Sequence, residues 1–214
     1  MKDFFLPLDS LALGLREKIK QLITNNHHMS AITFMPLQRL SPSDLLAFSQ
    51  LNSSLICEMN TNGSIILKTP LYHKFSQIAL KILEKLQIWN EKGSEGVVLD
   101  MKTGFVLSNG AIRHPSVSWV KPYKISSQTE HLIESAPDFY VEFLTESDNS
   151  NTMKMRMKEY MLNGSLLGWL IDVNNEKVYI YKNDGTEQVV ENFQNMLSGG
   201  SILRGFEVIL QVKR

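Results

Sequence analysis

The sequence predicts an α/β protein in which helices flank a mixed β-sheet. A short apolar run from Phe139 to Leu144 follows Pro137 and is bounded by polar residues, which indicates a buried strand. Apolar residues recur at helical spacing from Leu71 to Trp89, which indicates a long amphipathic helix. A third stretch, from Met153 to Tyr181, changes from helical spacing to strand alternation.

The first predicted element is an N-terminal helix. Asp9 or Ser10 can cap a helix whose apolar residues share one face, namely Leu11, Leu15, Ile19, Leu22 and Ile23. A polar loop with the tandem pair His27 and His28 follows. We expect no metal site there, because adjacent residues do not converge on one ion as residues four apart on a helix do.

A second helix is predicted to start at Ser41. Its first residues offer a capping hydroxyl, then Pro42 at the first helical position and Asp44 in the first turn. The helix continues over Leu45 to Leu51. We therefore divide the chain into an N-terminal helical extension, residues 1–40, and a main domain, residues 41–214.

Five strands are predicted in two regions of the first 120 residues. Leu55 to Met59 and Ser64 to Lys68 flank an Asn-Gly turn, which favours a hairpin. Further along, Gly96 to Asp100 and Phe105 to Leu107 are predicted to pair with each other, and Val117 to Val120 forms another strand. Between these regions lies the longest helix, from about Leu71 to Glu91, with His73 as a polar residue of its first turn.

Glu142 interrupts the apolar strand at Phe139 to Leu144. A carboxylate there must be paired, bound to a cation or protonated, because an unpaired buried charge is very costly. The helix that follows, from about Asn151 to Asn163, advances by about 100° per residue, which places Arg156 at the rim of its apolar stripe. Arg156 can therefore reach toward Glu142, whereas Lys158 lies on the far side. A structural ion pair and a functional carboxylate both remain open for Glu142.

Two more strands are predicted after the helix that carries Arg156. Gly168 to Ile171 is a second buried strand, the pair Asn174-Asn175 turns the chain, and Lys177 to Tyr181 forms a half-exposed partner strand.

Composition restricts the classes of function. With 22 basic and 22 acidic residues the net charge is zero, so nucleic-acid binding would need a local basic patch. Cys57 is the single cysteine, which excludes an intramolecular disulfide and a CxxC metal site. No secretory signal pattern and no run long enough to span a membrane is found, so we expect a soluble, cytoplasmic protein without membrane partners.

Three segments carry a resemblance: GFVLSNGAIRHPSVSWV, APDFYVEFLTESD and KEYMLNGSLLGWLID. Together they resemble a restriction endonuclease family of the PD-(D/E)XK nuclease superfamily. The resemblance covers roughly four fifths of the chain, from about Ser41 to the Arg204-Gly205-Phe206 segment. It implies a restriction endonuclease-like fold with a central mixed sheet, a Mg²⁺-dependent endonuclease activity on duplex DNA, and a homodimer.

The resemblance also implies four site residues: Glu58, Ser116, Glu142 and Arg156, with Glu142 as the metal ligand. The family has Pro-Asp where this chain has Pro115-Ser116, and a lysine where this chain has Arg156. Glu58 is either the family's acidic residue of the hairpin or a solvent-facing residue opposite a lysine. We expect the four residues to converge at one end of the sheet.

These two departures leave two functions open. One is an endonuclease with a degenerate centre, in which Mg²⁺ binds weakly or not at all and Asp138 or Asp148 serves as a substitute ligand. The other is a catalytically inactive nuclease fold that binds DNA or a protein partner. Since fold alone does not determine chemistry, the geometry around Glu142 must decide between them.

Overall fold

The computed structural model describes residues 31–68, 73–93, 96–125, 131–146 and 148–211. The chain divides after Pro70 into two compact units. The predicted N-terminal helix and the pair His27 and His28 lie outside the described residues. The boundary at residue 40 between an extension and a main domain stays a prediction.

In its described residues, the first unit contains one helix and a three-stranded antiparallel arrangement in the order β1-β3-β2. Its described elements are β1 Ala31–Phe34, α1 Pro42–Leu51, β2 Ile56–Met59 and β3 Ile65–Lys68. The predicted start of α1 is confirmed, because the Asp44 backbone N–H donates to Ser41 Oγ at 3.1 Å and the Ser41 N–H donates to Asp44 Oδ2 at 3.0 Å. The predicted hairpin of β2 and β3 is confirmed as well.

The second unit contains the elements on which the candidate site is built. They are α2 His73–Asn90, β4 Val97–Asp100, β5 Gly104–Val106, β6 Ile112–Arg113, β7 Val117–Val120, β8 Leu132–Ile133, β9 Phe139–Leu144, α3 Ser150–Leu162, β10 Leu167–Asp172, β11 Lys177–Lys182, β12 Glu187–Glu191, β13 Met196–Ser198 and β14 Glu207–Ile209. A short 3-10 turn, Pro122–Lys124, follows β7.

Its main sheet has the strand order β12-β11-β10-β9-β7-β4. Strands β9 and β10 are parallel, and the other neighbouring pairs are antiparallel. The predicted α/β fold with a mixed, mostly antiparallel sheet is thus confirmed, with β9 in its interior. A smaller group in the order β6-β5-β8 and the hairpin of β13 and β14 complete the unit.

The two faces of the main sheet pack against different helices. Residues of odd number in β9, such as Phe139 and Val141, belong to the core that includes α2. Residues of even number, such as Tyr140 and Leu144, belong to the core that includes α3. Because successive side chains of a strand alternate between faces, Glu142 points toward α3.

The predicted pairing of β4 with β5 is wrong. Strand β4 pairs with β7 at the edge of the main sheet, whereas β5 pairs with β6 and β8. The turn that makes a hairpin is the one at Asn109-Gly110, where the Leu107 N–H donates to the Ala111 carbonyl at 2.8 Å. Gly110 has a φ of 82°, which glycine adopts at little cost and which this turn requires.

Candidate active site

The loop between β9 and α3 directs the helix back over the sheet. The Thr145 N–H and hydroxyl both donate to Asp148 Oδ2, at 2.8 and 2.6 Å. Asn149 then caps α3, since its Oδ1 accepts the Thr152 N–H at 3.1 Å. These local hydrogen bonds start α3 where its second and third turns face Glu142.

Glu142 is buried, with 5% of its surface exposed. Its Oε1 accepts a hydrogen bond from Arg156 Nε at 2.7 Å and one from the Tyr160 hydroxyl at 3.1 Å. The predicted contact of Arg156 with Glu142 is therefore confirmed. Lys158, as predicted, points away and forms an exposed ion pair with Glu187 at 2.9 Å. Within the fold, the guanidinium of Arg156 thus balances the charge of the Glu142 carboxylate, and the Tyr160 hydroxyl adds a hydrogen bond.

Tyr160 also belongs to the site, although its position on the apolar stripe of the helix predicts packing alone. Its ring packs on that of Tyr140, with centroids 4.1 Å apart. The Tyr140 hydroxyl donates to the Met157 carbonyl at 2.8 Å. Burial, and then the nearby Glu142 carboxylate, raises the pKa of Tyr140 well above its ordinary value, so this hydroxyl remains a donor. The tyrosine pair therefore connects the sheet to the helix that holds Arg156.

Gly168 gives a direct test of this tyrosine pair. It lies beside Tyr140 in β10, and a Cβ at Gly168 would lie 2.4 Å from Tyr140 Cζ. We expect Gly168→Ala to lower the free energy of unfolding by about 1–3 kcal/mol through overpacking, measured by urea denaturation. In a Tyr140→Leu background, which lacks the clashing ring, Gly168→Ala should cost less than it does in the wild type. Strictly additive losses in the double variant would contradict this account.

Ser116 lies next to Glu142 in the fold. It precedes β7, is 9% exposed, and its backbone N–H donates to the carbonyl of Val141 at 2.9 Å. Val117 belongs to the core on the α2 face, so strand alternation places Ser116 on the α3 face with Glu142. The structure thus brings together three of the four predicted residues: Ser116, Glu142 and Arg156.

A second ion pair lies beside the first and was not predicted. Arg113 donates from Nε to Glu159 Oε2 at 2.7 Å and from Nη2 to Glu159 Oε1 at 3.2 Å. The Asn109 side chain also donates to Glu159 Oε1, at 3.1 Å. The adjacent residues Glu159 and Tyr160 therefore bind, respectively, the segment that leads to Ser116 and the strand that carries Glu142. Arg113 lies in the GAIR part of one resembling segment, and Glu159 lies in the KEY part of another. The sequence does not show that these two charged residues pair with each other.

Glu58 lies in the first unit and has a different environment. It is fully buried, and its Oε2 lies 2.9 Å from Lys68 Nζ. The alternative in which Glu58 faces solvent is wrong, although the lysine partner of that alternative is present. The role of Glu58 beside Glu142 stays a prediction.

The two proposed substitute ligands are engaged in structural contacts. Asp138 Oδ1 lies 3.0 Å from Lys124 Nζ, and its Oδ2 accepts the Lys121 N–H at 2.9 Å. Asp148 holds the turn before α3. Among the described residues, no three His, Cys, Asp or Glu side chains are grouped so that they could hold a metal ion.

Mg²⁺ is predicted to bind at Glu142, and the side chains around Glu142 can be compared with the ligands that this ion prefers. Mg²⁺ prefers octahedral oxygen ligands, commonly one or two carboxylates with several waters. Here Glu142 is bound by Arg156, and Ser116 offers a neutral hydroxyl where a second carboxylate would stand. The residues of this centre therefore do not fit a resident Mg²⁺ ion.

A mixed sheet with helices on both faces and a buried acidic centre beside its parallel pair of strands defines the restriction endonuclease-like class of nuclease folds. The sequence pattern of the Uma2 family, described as "Putative restriction endonuclease", matches residues 42–213. The chain belongs to this family.

Solved structures support the same fold. A crystal structure from Anabaena variabilis ATCC 29413, described as a "putative nuclease belonging to DUF820", matches with a TM-score of 0.63 and 17% sequence identity. The match covers 72% of this chain and 87% of that chain. Comparison with curated proteins finds no match. No helix of the described residues combines the length and apolar character that a membrane span requires.

Proposed function

We propose that this chain is a degenerate endonuclease. Its fold is that of enzymes that hydrolyse DNA phosphodiester bonds with Mg²⁺, but its own centre binds an arginine in place of the ion. The observation that carries this proposal is the 2.7 Å contact between Arg156 Nε and Glu142 Oε1 in a site where Glu142 is 5% exposed. Hydrolysis of DNA by the wild-type protein is then very slow.

Charge supports the proposal. A guanidinium and a divalent cation compete for the same carboxylate, and the guanidinium is attached to the helix, so it is present at high local concentration. Arginine stays protonated at all working pH values, so Arg156 cannot leave the carboxylate free by losing a proton. With Ser116 in place of an aspartate, one unit of negative charge that would attract a cation is missing.

The geometry also favours a second function, in which the fold has lost catalysis and binds DNA or a protein partner. The specific observation is that Tyr160 donates to the same Glu142 oxygen as Arg156, so the carboxylate serves packing of α3 on the sheet. Duplex DNA as a ligand and the homodimer remain proposals that rest on the family. A cytoplasmic location remains a proposal that rests on the sequence pattern.

Wild-type protein should bind Mn²⁺ only weakly, with a Kd of about 1 mM or higher, because the ion must displace Arg156. Isothermal titration of wild type and of Glu142→Gln measures this, and we expect the two proteins to behave alike. Neither should convert supercoiled plasmid to nicked circles in Mg²⁺ or Mn²⁺. Robust metal-dependent cleavage by wild type that disappears in Glu142→Gln would refute the degenerate centre.

A further inference from the structure

A pocket of about 640 Å³ opens on the second unit, away from Glu142. Trp89 of α2 and Trp119 of β7 form its aromatic floor, and Lys92, Lys121, Tyr123 and Arg204 lie around it. We call this the cationic pocket. Ligand sites in proteins commonly enclose about 300–1,000 Å³, so the cationic pocket has the size of a small-molecule site.

The floor of the cationic pocket is apolar because both indole N–H groups are used inside the fold. Trp89 Nε1 donates to the Arg204 carbonyl at 3.0 Å, and Trp119 Nε1 donates to Asn90 Oδ1 at 2.8 Å. The two rings meet edge to face with centroids 5.9 Å apart. Both indoles are fixed by these contacts. Trp119 is 5% exposed, so the ring surface that a ligand can reach comes mainly from the half-buried Trp89.

Tyr123 adds an aromatic ring at the opening. It lies on the 3-10 turn Pro122–Lys124 and is 76% exposed. An aromatic side chain so exposed beside an aromatic floor gives a planar ligand a second surface on which to stack.

Among the residues that the structure describes, the charged side chains that line the cationic pocket all have one sign. Lys92, Lys121 and Arg204 line it, and no Asp or Glu does, although the whole chain has equal numbers of acidic and basic residues. The neighbouring Lys124 is neutralised by Asp138 at 3.0 Å. In the part of the chain that the structure describes, no such ion pair is found for the three cations of the pocket. Their field therefore attracts an anion.

We propose that the cationic pocket binds a nucleotide. A planar base would stack on Tyr123 and Trp89, and its phosphate would accept hydrogen bonds from Arg204 and the two lysines. An inorganic anion would leave the aromatic floor unused, and an uncharged apolar ligand would leave the three cations without a partner. A nucleotide uses both parts of the site.

The cationic pocket is separate from the candidate active site. Trp119 belongs to the core on the α2 face of the sheet, whereas Glu142 points toward α3 on the other face. Ser116 and Lys121 lie at opposite ends of β7. Nucleotide binding here is therefore independent of the proposed function, and a failure of either proposal leaves the other intact.

Tryptophan fluorescence provides the test, because two of the three tryptophans of the chain line the pocket. Metal-free wild-type protein is titrated with adenosine 5′-monophosphate, adenosine and inorganic phosphate, and calorimetry measures each affinity. We expect quenching by the nucleotide, with an affinity at least about tenfold above that of adenosine or phosphate, since only the nucleotide makes both kinds of contact.

Arg204→Ala should weaken nucleotide binding by about tenfold through the loss of a charge-assisted hydrogen bond. It should leave the fold intact, because Trp89 bonds to the backbone carbonyl of Arg204. Lys85→Ala is the matched control, since Lys85 is an exposed cation of α2 that does not line the pocket. Equal effects of the two substitutions, equal binding of phosphate and nucleotide, or no nucleotide binding at millimolar concentration would each overturn the proposal.

Discussion

The double variant Ser116→Asp with Arg156→Lys is expected to cleave plasmid DNA in Mn²⁺ at least about 100-fold faster than wild type. The first change adds the carboxylate that the centre lacks, beside Glu142. The second replaces a fixed guanidinium by a shorter, more flexible ammonium that can leave the Glu142 carboxylate to a metal ion. Agarose-gel assays of plasmid nicking, with and without EDTA, measure the gain.

Each single change should do much less, because either the second carboxylate or the free Glu142 would still be missing. Ser116→Asp alone adds an acid where Arg156 already pairs with Glu142. The control is Glu142→Gln in the double background, which should return cleavage to the wild-type level. A well-folded double variant that neither binds Mn²⁺ nor cuts DNA would show that the centre around Glu142 is not a former metal site.

The second large effect concerns stability. Arg156→Ala should lower the free energy of unfolding by about 3–5 kcal/mol, because it leaves the carboxylate of Glu142 buried without its cation. Urea denaturation followed by circular dichroism measures the change. Replacing both partners, as in Arg156→Met with Glu142→Leu, should recover most of the loss, since an apolar pair carries no desolvation cost.

Lys158→Ala is the matched control for this experiment. Lys158 is on the same helix and also forms an ion pair, but its side chain is 59% exposed and that of Glu187 is 49% exposed. Exposed pairs contribute about 0–1 kcal/mol, so its loss should be small. Similar losses for Arg156→Ala and Lys158→Ala would mean that the Glu142 pair behaves as a surface pair, and the stabilising role proposed for it would be wrong.

Local features of the chain predicted most of the elements. Strand β9 follows from an apolar run bounded by polar residues, and the start of α1 follows from the capping pattern at Ser41. The direction of Arg156 toward Glu142 also follows from the sequence. The regular rotation of an α-helix, about 100° per residue, places Arg156 at the rim of the apolar stripe that faces the sheet. Each of these predictions depends on residues that are close in the chain.

Pairings between distant segments could not be predicted in the same way. Strand β4 is the nearest preceding strand to β5 in the sequence, which favoured their pairing, but the Asn109-Gly110 turn pairs β5 with β6. The pair of Arg113 with Glu159 joins residues 46 positions apart, and nothing local selects one acid over another. The bond of Tyr160 to Glu142 was missed because an aromatic residue on an apolar helical stripe usually serves packing alone.

Two of the ion pairs of α3, those with Arg113 and Glu142, also limit how quickly a metal ion could reach Glu142. Because Glu159 binds Arg113 of β6 and Arg156 binds Glu142 of β9, the helix cannot separate from these two strands without breaking both contacts. Such a local opening is rarely populated in a folded protein. An incoming ion would therefore wait for the helix to open, and its association rate would stop rising with ion concentration once opening became the slow step.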